Sequence, residues 1–240
     1  VIPLQRPRLQ PHLAAELARH TAGIRQAGPN TATGRAAWHK AVRQKAQLRL
    51  LLRQMAPGLE RCMYCGDNLG TDIDHFEPIA LAPLRTFDWQ NHLLACAHCN
   101  SNQKRDRFPR DPVTGEHLLV DPSREDPADH LRLYLDSGEY DPLTAKGEAT
   151  IDVFGLNSRA ELVRGRRMMF SVVKALLLTW HAAAPGDDLE YADALGLLHH
   201  ADVLRAVLRL RRSPGVAEAV LGPDVLLALH QLARAERRFR

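Results

Sequence analysis

Two C-x-x-C pairs, Cys62/Cys65 and Cys96/Cys99, constrain this chain more than any other feature, and no cysteine lies elsewhere in its 240 residues. Each pair can present two thiolates from one tight turn, and four thiolates at about 2.3 Å satisfy a tetrahedral zinc ion. The N-terminal stretch VIPLQRPRLQ has no apolar run of the secretory kind. The spacing therefore predicts a metal site rather than disulfides, and a cytoplasmic location is expected. Thirty residues separate the pairs, enough for a hairpin and a loop whose ends a metal would clamp. A segment of roughly fifty residues holds little core, so one structural Zn²⁺ per chain would supply much of its folding energy. Four unpaired or redox-active cysteines are the alternative.

Composition sets the background. Hydrophobic residues make up 45% and charged residues 25%, the balance of a globular chain rather than a disordered one. No run reaches the roughly 20 apolar residues of a membrane span; residues 171–180 come closest, with Arg166 and Arg167 shortly before them. Charge is distributed unevenly. Residues 1–60 carry ten Lys/Arg against two Asp/Glu, 61–110 balance at six each, 111–160 carry four against eleven, and 161–240 carry twelve against nine. A basic N-terminal segment is a candidate footprint for nucleic acid, with a solvated helix face as the plainer reading.

Patterning divides the chain into four segments: a basic helical segment (1–59), a cysteine-bearing module (60–110), an acidic turn-rich connector (111–157) and a helical C-terminal segment (158–240). Residues 1–11, with three prolines, read as an extended arm. Leu48, Leu51, Leu52 and Met55 repeat at three and four inside one helix expected over 33–55, and Lys45, Arg49 and Arg53 form a basic stripe along it. The connector is punctuated by Asp-Pro steps, with brief strands expected at 116–120 and 131–135. Asn157-Ser158 is an expected N-cap. Beyond it, Met169, Val172, Val173, Leu176 and Trp180 line one helix face, and two more helices are expected near 189–212 and 216–238. The fold class expected is α+β, mostly α.

Between the cysteine pairs lies a second set of chemical groups. Asp74 offers the oxygen ligand that a hard cation such as Mg²⁺ requires. His75 offers an imidazole able to take a proton from water. Asn100, next to Cys99, offers an amide oxygen at a position the metal frame would fix. Together these are the parts needed for metal-assisted phosphodiester hydrolysis. Neighbours on a regular strand face opposite sides, so Asp74 and His75 serve one site only if the strand bends or ends there.

The pattern C-x2-C, D-H-x-x-P, N, C-x2-C-N and K, carried here by Cys62/Cys65, Asp74-His75 with Pro78, Asn91, Cys96/Cys99-Asn100 and Lys104, resembles the HNH endonucleases, the zinc-bearing branch of the ββα-metal nucleases. The resemblance implies a ββα-metal module. It also implies that His75 is the general base, that Asp74 and Asn100 hold a catalytic Mg²⁺ or Mn²⁺, that Asn91 braces the loop and that Lys104 meets phosphate. Asn102 is a near neighbour that could replace Asn100 as the ligand. Arg105 and Arg107 follow as further candidate nucleic-acid contacts. The implied reaction is DNA phosphodiester hydrolysis leaving 5′-phosphate and 3′-hydroxyl ends.

The outer sequence, DWQN, CNSNQKRDRFP, DPSREDPADHL and GLNSRAELVRGRR, resembles HNH proteins of Septu- and retron-type phage-defence systems, which implies a separate ATPase subunit as partner. No G-x-x-x-x-G-K-[ST] motif is present. The rival expectation is a non-catalytic zinc module that binds nucleic acid or a partner protein, and an RNA substrate stays open. Plainer readings attach to other residues: His92 and His98 sit inside the motif without a family role, and Trp89 packs the zinc loop. His199-His200 sits in an amphipathic helix with a core or surface role, Met168-Met169 packs the core, and Asp202, Arg205, Arg209 and Arg212 share a solvated face.

Overall fold

In the computed structural model, which describes residues 1–182 and 188–236, most of the chain is helical and two small antiparallel sheets complete it. Residues 1–10 are extended, as the prolines predict, but they are fastened down. The Leu4 amide donates to the Pro122 carbonyl at 2.7 Å. The Arg6 guanidinium donates to the carbonyls of Trp89 and His92 at 2.8 and 2.9 Å and lies over the Trp89 ring. Part of the basic N-terminal charge is thus structural.

Helix α1 (Pro11–Gln26) starts with proline at its first turn, where no amide partner is lost, and buries Leu13, Leu17 and Ile24. The single helix expected over 33–55 is two: α2 (Thr31–Lys40), closed at its start by an Asn30/Thr33 capping box, and α3 (Val42–Met55). The break falls at Ala41 (φ −81°, ψ 51°), itself buried. The reason is packing in two directions. Helix α2 rests on the turn Pro83–Arg85, while α3 rests its Leu48, Leu52 and Met55 face toward the strand that precedes the second cysteine pair. A straight helix cannot reach both.

The cysteine module is built on strand β1 (Asp72–His75) paired with β2 (His92–Ala95), in register Asp72↔Ala95, Ile73↔Leu94, Asp74↔Leu93 and His75↔His92. A π-helical turn, His98–Lys104, follows. In the connector, the expected strand at 131–135 is present as β3 (Leu131–Leu133), paired with β4 (Tyr140–Pro142). At 116–120 there is only the isolated bridge Arg110↔His117. Helix α4 (Ala145–Phe154), unexpected in so acidic a stretch, is capped by Thr144 and closed by Gly155 in the left-handed conformation. Asn157 is not an N-cap: its amide bonds the backbone N–H and C=O of Tyr140 at 2.9 and 2.7 Å.

The C-terminal part folds as α5 (Ala160–Ala182), α6 (Asp188–Leu197), α7 (Ala201–Leu210), α8 (Pro214–Leu221) and α9 (Pro223–Glu236). Each of the two helices expected there is divided, the first near His200 (φ 49°) and the second at Gly222 (φ 76°); residues 237–238 of the second lie outside the described residues. Two cores result. One gathers the arm, α1–α3, the cysteine module, the connector and Leu162; the other gathers Leu135 and the helices from Phe170 onward. Helix α5 reaches into both. None of the described helices is long and apolar enough to cross a membrane.

Two surface expectations change. Asp202 is buried against the Tyr140 hydroxyl, and Arg205 and Arg209 pair with Asp126, so α7 is tied to the acidic connector rather than solvated. Met168 is 59% exposed rather than packed.

Candidate active site

The cysteine frame is local in origin. Gly66, at φ 69°, turns the first C-x-x-C so that its amide donates to the Cys62 carbonyl at 2.9 Å. In the second pair the Cys99 amide points at the Cys96 sulfur at 3.4 Å. The hairpin brings the pairs together, and all four Sγ atoms lie within 4.8 Å of one another, with Cys65 and Cys96 at 3.9 Å. Thiolates tetrahedral about a zinc at about 2.3 Å would stand roughly 3.8 Å apart. All four are buried free cysteines, and their donor set and spacing fit a zinc site. Burial pushes the Cys62 thiol well above the usual range, so deprotonation there calls for a cation.

His75 ends β1 and is 8% exposed. Its Nε2 lies 3.0 Å from the Thr86 carbonyl, which makes Nε2 the protonated nitrogen. Nδ1 has no hydrogen bond among the described residues and is left as the basic nitrogen. Burial pushes the imidazole down to about 4, against smaller opposing effects of Thr86 and Asp74. It is therefore neutral at physiological pH, the form a general base requires. Trp38 from α2 meets the ring edge-on at 4.6 Å, and His92 lies 5.0 Å away with its own Nε2 on the same Thr86 carbonyl at 2.9 Å. Asn91, fully buried, crosses the loop: its Oδ1 accepts from the Glu77 amide at 2.8 Å and its Nδ2 donates to the carbonyls of Glu77 and Arg85.

Asp74 engages different neighbours from His75, as alternation along a strand requires. One oxygen accepts from the Tyr64 hydroxyl and the other from the Lys104 ammonium at 3.0 Å. Lys104 is the main departure from expectation. It is 0% exposed and also donates to the His75 carbonyl at 2.7 Å, so it meets no phosphate in this arrangement. Its position at the end of a π-helical turn, rather than on an outer helical face, aims it inward. Asn100 makes no hydrogen bond to Asp74 among the described residues; its Nδ2 donates to Asp72 at 3.2 Å. Asn102 is exposed.

The candidate nucleic-acid residues divide in the same way. Arg49 and Arg105 are exposed. Arg53 pairs with Glu60 at 3.1 Å and Arg107 with Asp152. Lys45 donates to the His39 carbonyl and lies 5.8 Å over Trp38, next to His75. Sequence reasoning missed Trp38, Tyr64 and Thr86. Tyr64 sits inside the first C-x-x-C and carried a signal; Trp38 and Thr86 act through contacts with no mark in local spacing.

Comparison with known proteins agrees with this geometry. Residues 62–106 match the family model described as HNH endonuclease. The chain is 29% identical over 139 residues to the Septu protein PtuB of Bacillus mycoides (strain KBAB4), a match covering 45% of this chain and 46% of that protein. The chain thus spans under half the length of the curated relative it matches. In motif, hairpin and cysteine frame, residues 62–106 are an HNH-endonuclease-like module, carried on a chain that is similar over part of its length to a Septu protein.

Proposed function

We propose that this chain is a metal-dependent HNH endonuclease that hydrolyses phosphodiester bonds in DNA, and that it is the nuclease subunit of an antiphage defence system working beside a separate ATPase subunit. The observation that carries the nuclease reading is the state of His75: a neutral imidazole with Nε2 anchored on the Thr86 carbonyl and Nδ1 unpaired. In that state Nδ1 takes the proton of a water as its oxygen attacks phosphorus, and the P–O3′ bond breaks with O3′ taking a proton from a second water, which leaves the 5′-phosphate and 3′-hydroxyl. Asn91 holds the loop that presents Thr86, so it positions the base without touching substrate.

Cys62, Cys65, Cys96 and Cys99 are the residues that would hold zinc, which would keep the hairpin closed. Asp74 and Asn100 are the residues that would hold a Mg²⁺ or Mn²⁺, whose chemistry is Lewis-acid stabilisation of charge on the scissile phosphate. Asp74 is paired here with the Lys104 ammonium and Asn100 is bonded to Asp72, so a metal on these two residues would have to take the ammonium's place on the carboxylate. The similarity to a Septu protein supports the defence assignment and the partner.

Burial of His75 favours a second reading, a zinc module that binds nucleic acid or protein without cutting. A plasmid-nicking assay, with any partner that co-purifies kept present, separates the two. Brief chelation should abolish nicking while about one zinc per chain stays bound, and Mg²⁺ or Mn²⁺ alone should restore it. His75→Ala should lower the rate by about 10²–10⁴-fold with zinc content unchanged. Activity of His75→Ala within threefold of wild type sinks the base assignment, and no metal-dependent nicking at all sinks the nuclease reading.

A further inference from the structure

Arg159 precedes α5 and is 7% exposed. Its Nε donates to the Gly155 carbonyl at 3.3 Å, and its Nη2 lies 3.5 Å from the Cys99 sulfur. A guanidinium does not lose its proton inside a protein, so its burial calls for a counter-charge or a full set of acceptors. The other deeply buried arginine, Arg166, meets this need with the carbonyls of Gly138 and Leu156, both at 2.6 Å, and with the Tyr140 ring. Arg159 has one long carbonyl bond and a sulfur, and no carboxylate pairs with it among the described residues.

Four neutral thiols would leave that charge unmatched. Four thiolates around one Zn²⁺ carry two net negative charges and match it. We infer that Arg159 is the counter-ion of a zinc tetrathiolate at Cys62, Cys65, Cys96 and Cys99, and that through it the start of α5 is seated only when the metal is bound. The inference rests on zinc in the cysteine frame and is independent of the nuclease reading. An N–H donor on a thiolate also draws charge from the sulfur and so stabilises the loaded cluster.

The link to α5 is covalent and short. The Arg159 carbonyl accepts from the Leu162 and Val163 amides, which forms the first turn of α5. Leu162 belongs to the first core and Phe170 to the second. The metal state of the cysteine frame is thereby passed to the helix that joins the two cores.

Zinc transfer from the full-length chain to the chromogenic chelator 4-(2-pyridylazo)resorcinol tests this. Arg159→Met should hold zinc about 10–100-fold more weakly than wild type, while Arg159→Lys, which keeps the charge, should stay close to wild type. Val207→Ala, in the second core, should lower Tm without changing zinc release. If Arg159→Met does not fold, Arg159→Gln takes its place, since it keeps a donor and loses the charge. Wild-type retention by the uncharged variant, or loss from Arg159→Lys as fast as from it, overturns the counter-ion role. Removing zinc from the wild type should speed amide hydrogen exchange across 156–166; unchanged exchange overturns the coupling to α5. A wild type that binds no zinc overturns the metal assignment itself and is recognised by metal analysis alone.

Discussion

Lys104 and Asp74 form an ion pair inside the molecule, with side-chain exposures of 0% and 3%. Such a pair is a weak source of net stability, but removing one partner strands the other charge, at a cost of about 3–5 kcal/mol. Lys104→Met should therefore lower Tm by roughly 6–20 °C, given about 2–4 °C per kcal/mol for a chain of this size. Adding Asp74→Asn should recover much of that loss, because the stranded carboxylate is gone. In Lys104→Met, Mn²⁺ should raise Tm more than it does in wild type, as a cation takes the place of the ammonium. Calorimetry of the three proteins reads all of this, and a Lys104→Met variant as stable as wild type would show that the pair is not what balances Asp74. The resemblance to HNH endonucleases implies Lys104 at the site. Only the π-helical turn, which rotates it inward, separates an Asp74 partner from a phosphate contact.

At the scale of elements, the same substitution should act with opposite signs in two helices. A Cβ at Gly23 in α1 would meet nothing within 4 Å, whereas one at Gly147 in α4 would lie 2.0 Å from the His130 carbonyl oxygen. Gly23→Ala should stabilise by about 0.5–1 kcal/mol through lost unfolded-state freedom. Gly147→Ala should destabilise by about 1–3 kcal/mol, since α4 must move off the 127–131 stretch. Urea unfolding of both variants decides it, and stabilisation by Gly147→Ala would mean that α4 is not pressed against His130. Helix α4 was illegible in the sequence for this reason: Gly147, Thr150 and Gly155 are poor helix formers, placed there by close approach and by a left-handed cap rather than by propensity. The helix breaks at Ala41, His200 and Gly222 are likewise unmarked in the sequence pattern, because hydrophobic periodicity continues across a change of direction.

Across the whole molecule, the basic charge of residues 1–60 is partly used up internally. Arg6 is bonded to backbone carbonyls and Arg53 to Glu60. Of the α3 stripe, Arg49 and Lys45 are the residues left to meet a phosphate backbone passing the site. Replacing Lys45, Arg49 and Arg53 together with Gln should lower the log–log salt slope of duplex binding by about 0.9 to 2, one to two contacts rather than three. Fluorescence anisotropy at several salt concentrations measures the slope; no change would make the stripe a solvated face.

The sequence by itself determined the four-cysteine frame and the Asp74-His75 step, because cysteine pairs and an Asp-His step are fixed by spacings of one to three residues that any tight turn or strand preserves. The tertiary structure alone decided how these groups are used. The carbonyl that orients His75 comes from Thr86, the ring that covers it from Trp38, the charge that balances Asp74 from Lys104, and the cation beside Cys99 from Arg159. These partners lie eleven to sixty residues away along the chain. Nothing in local pattern records which of many polar side chains will be carried there, because burial and counter-charge are properties of the packed core.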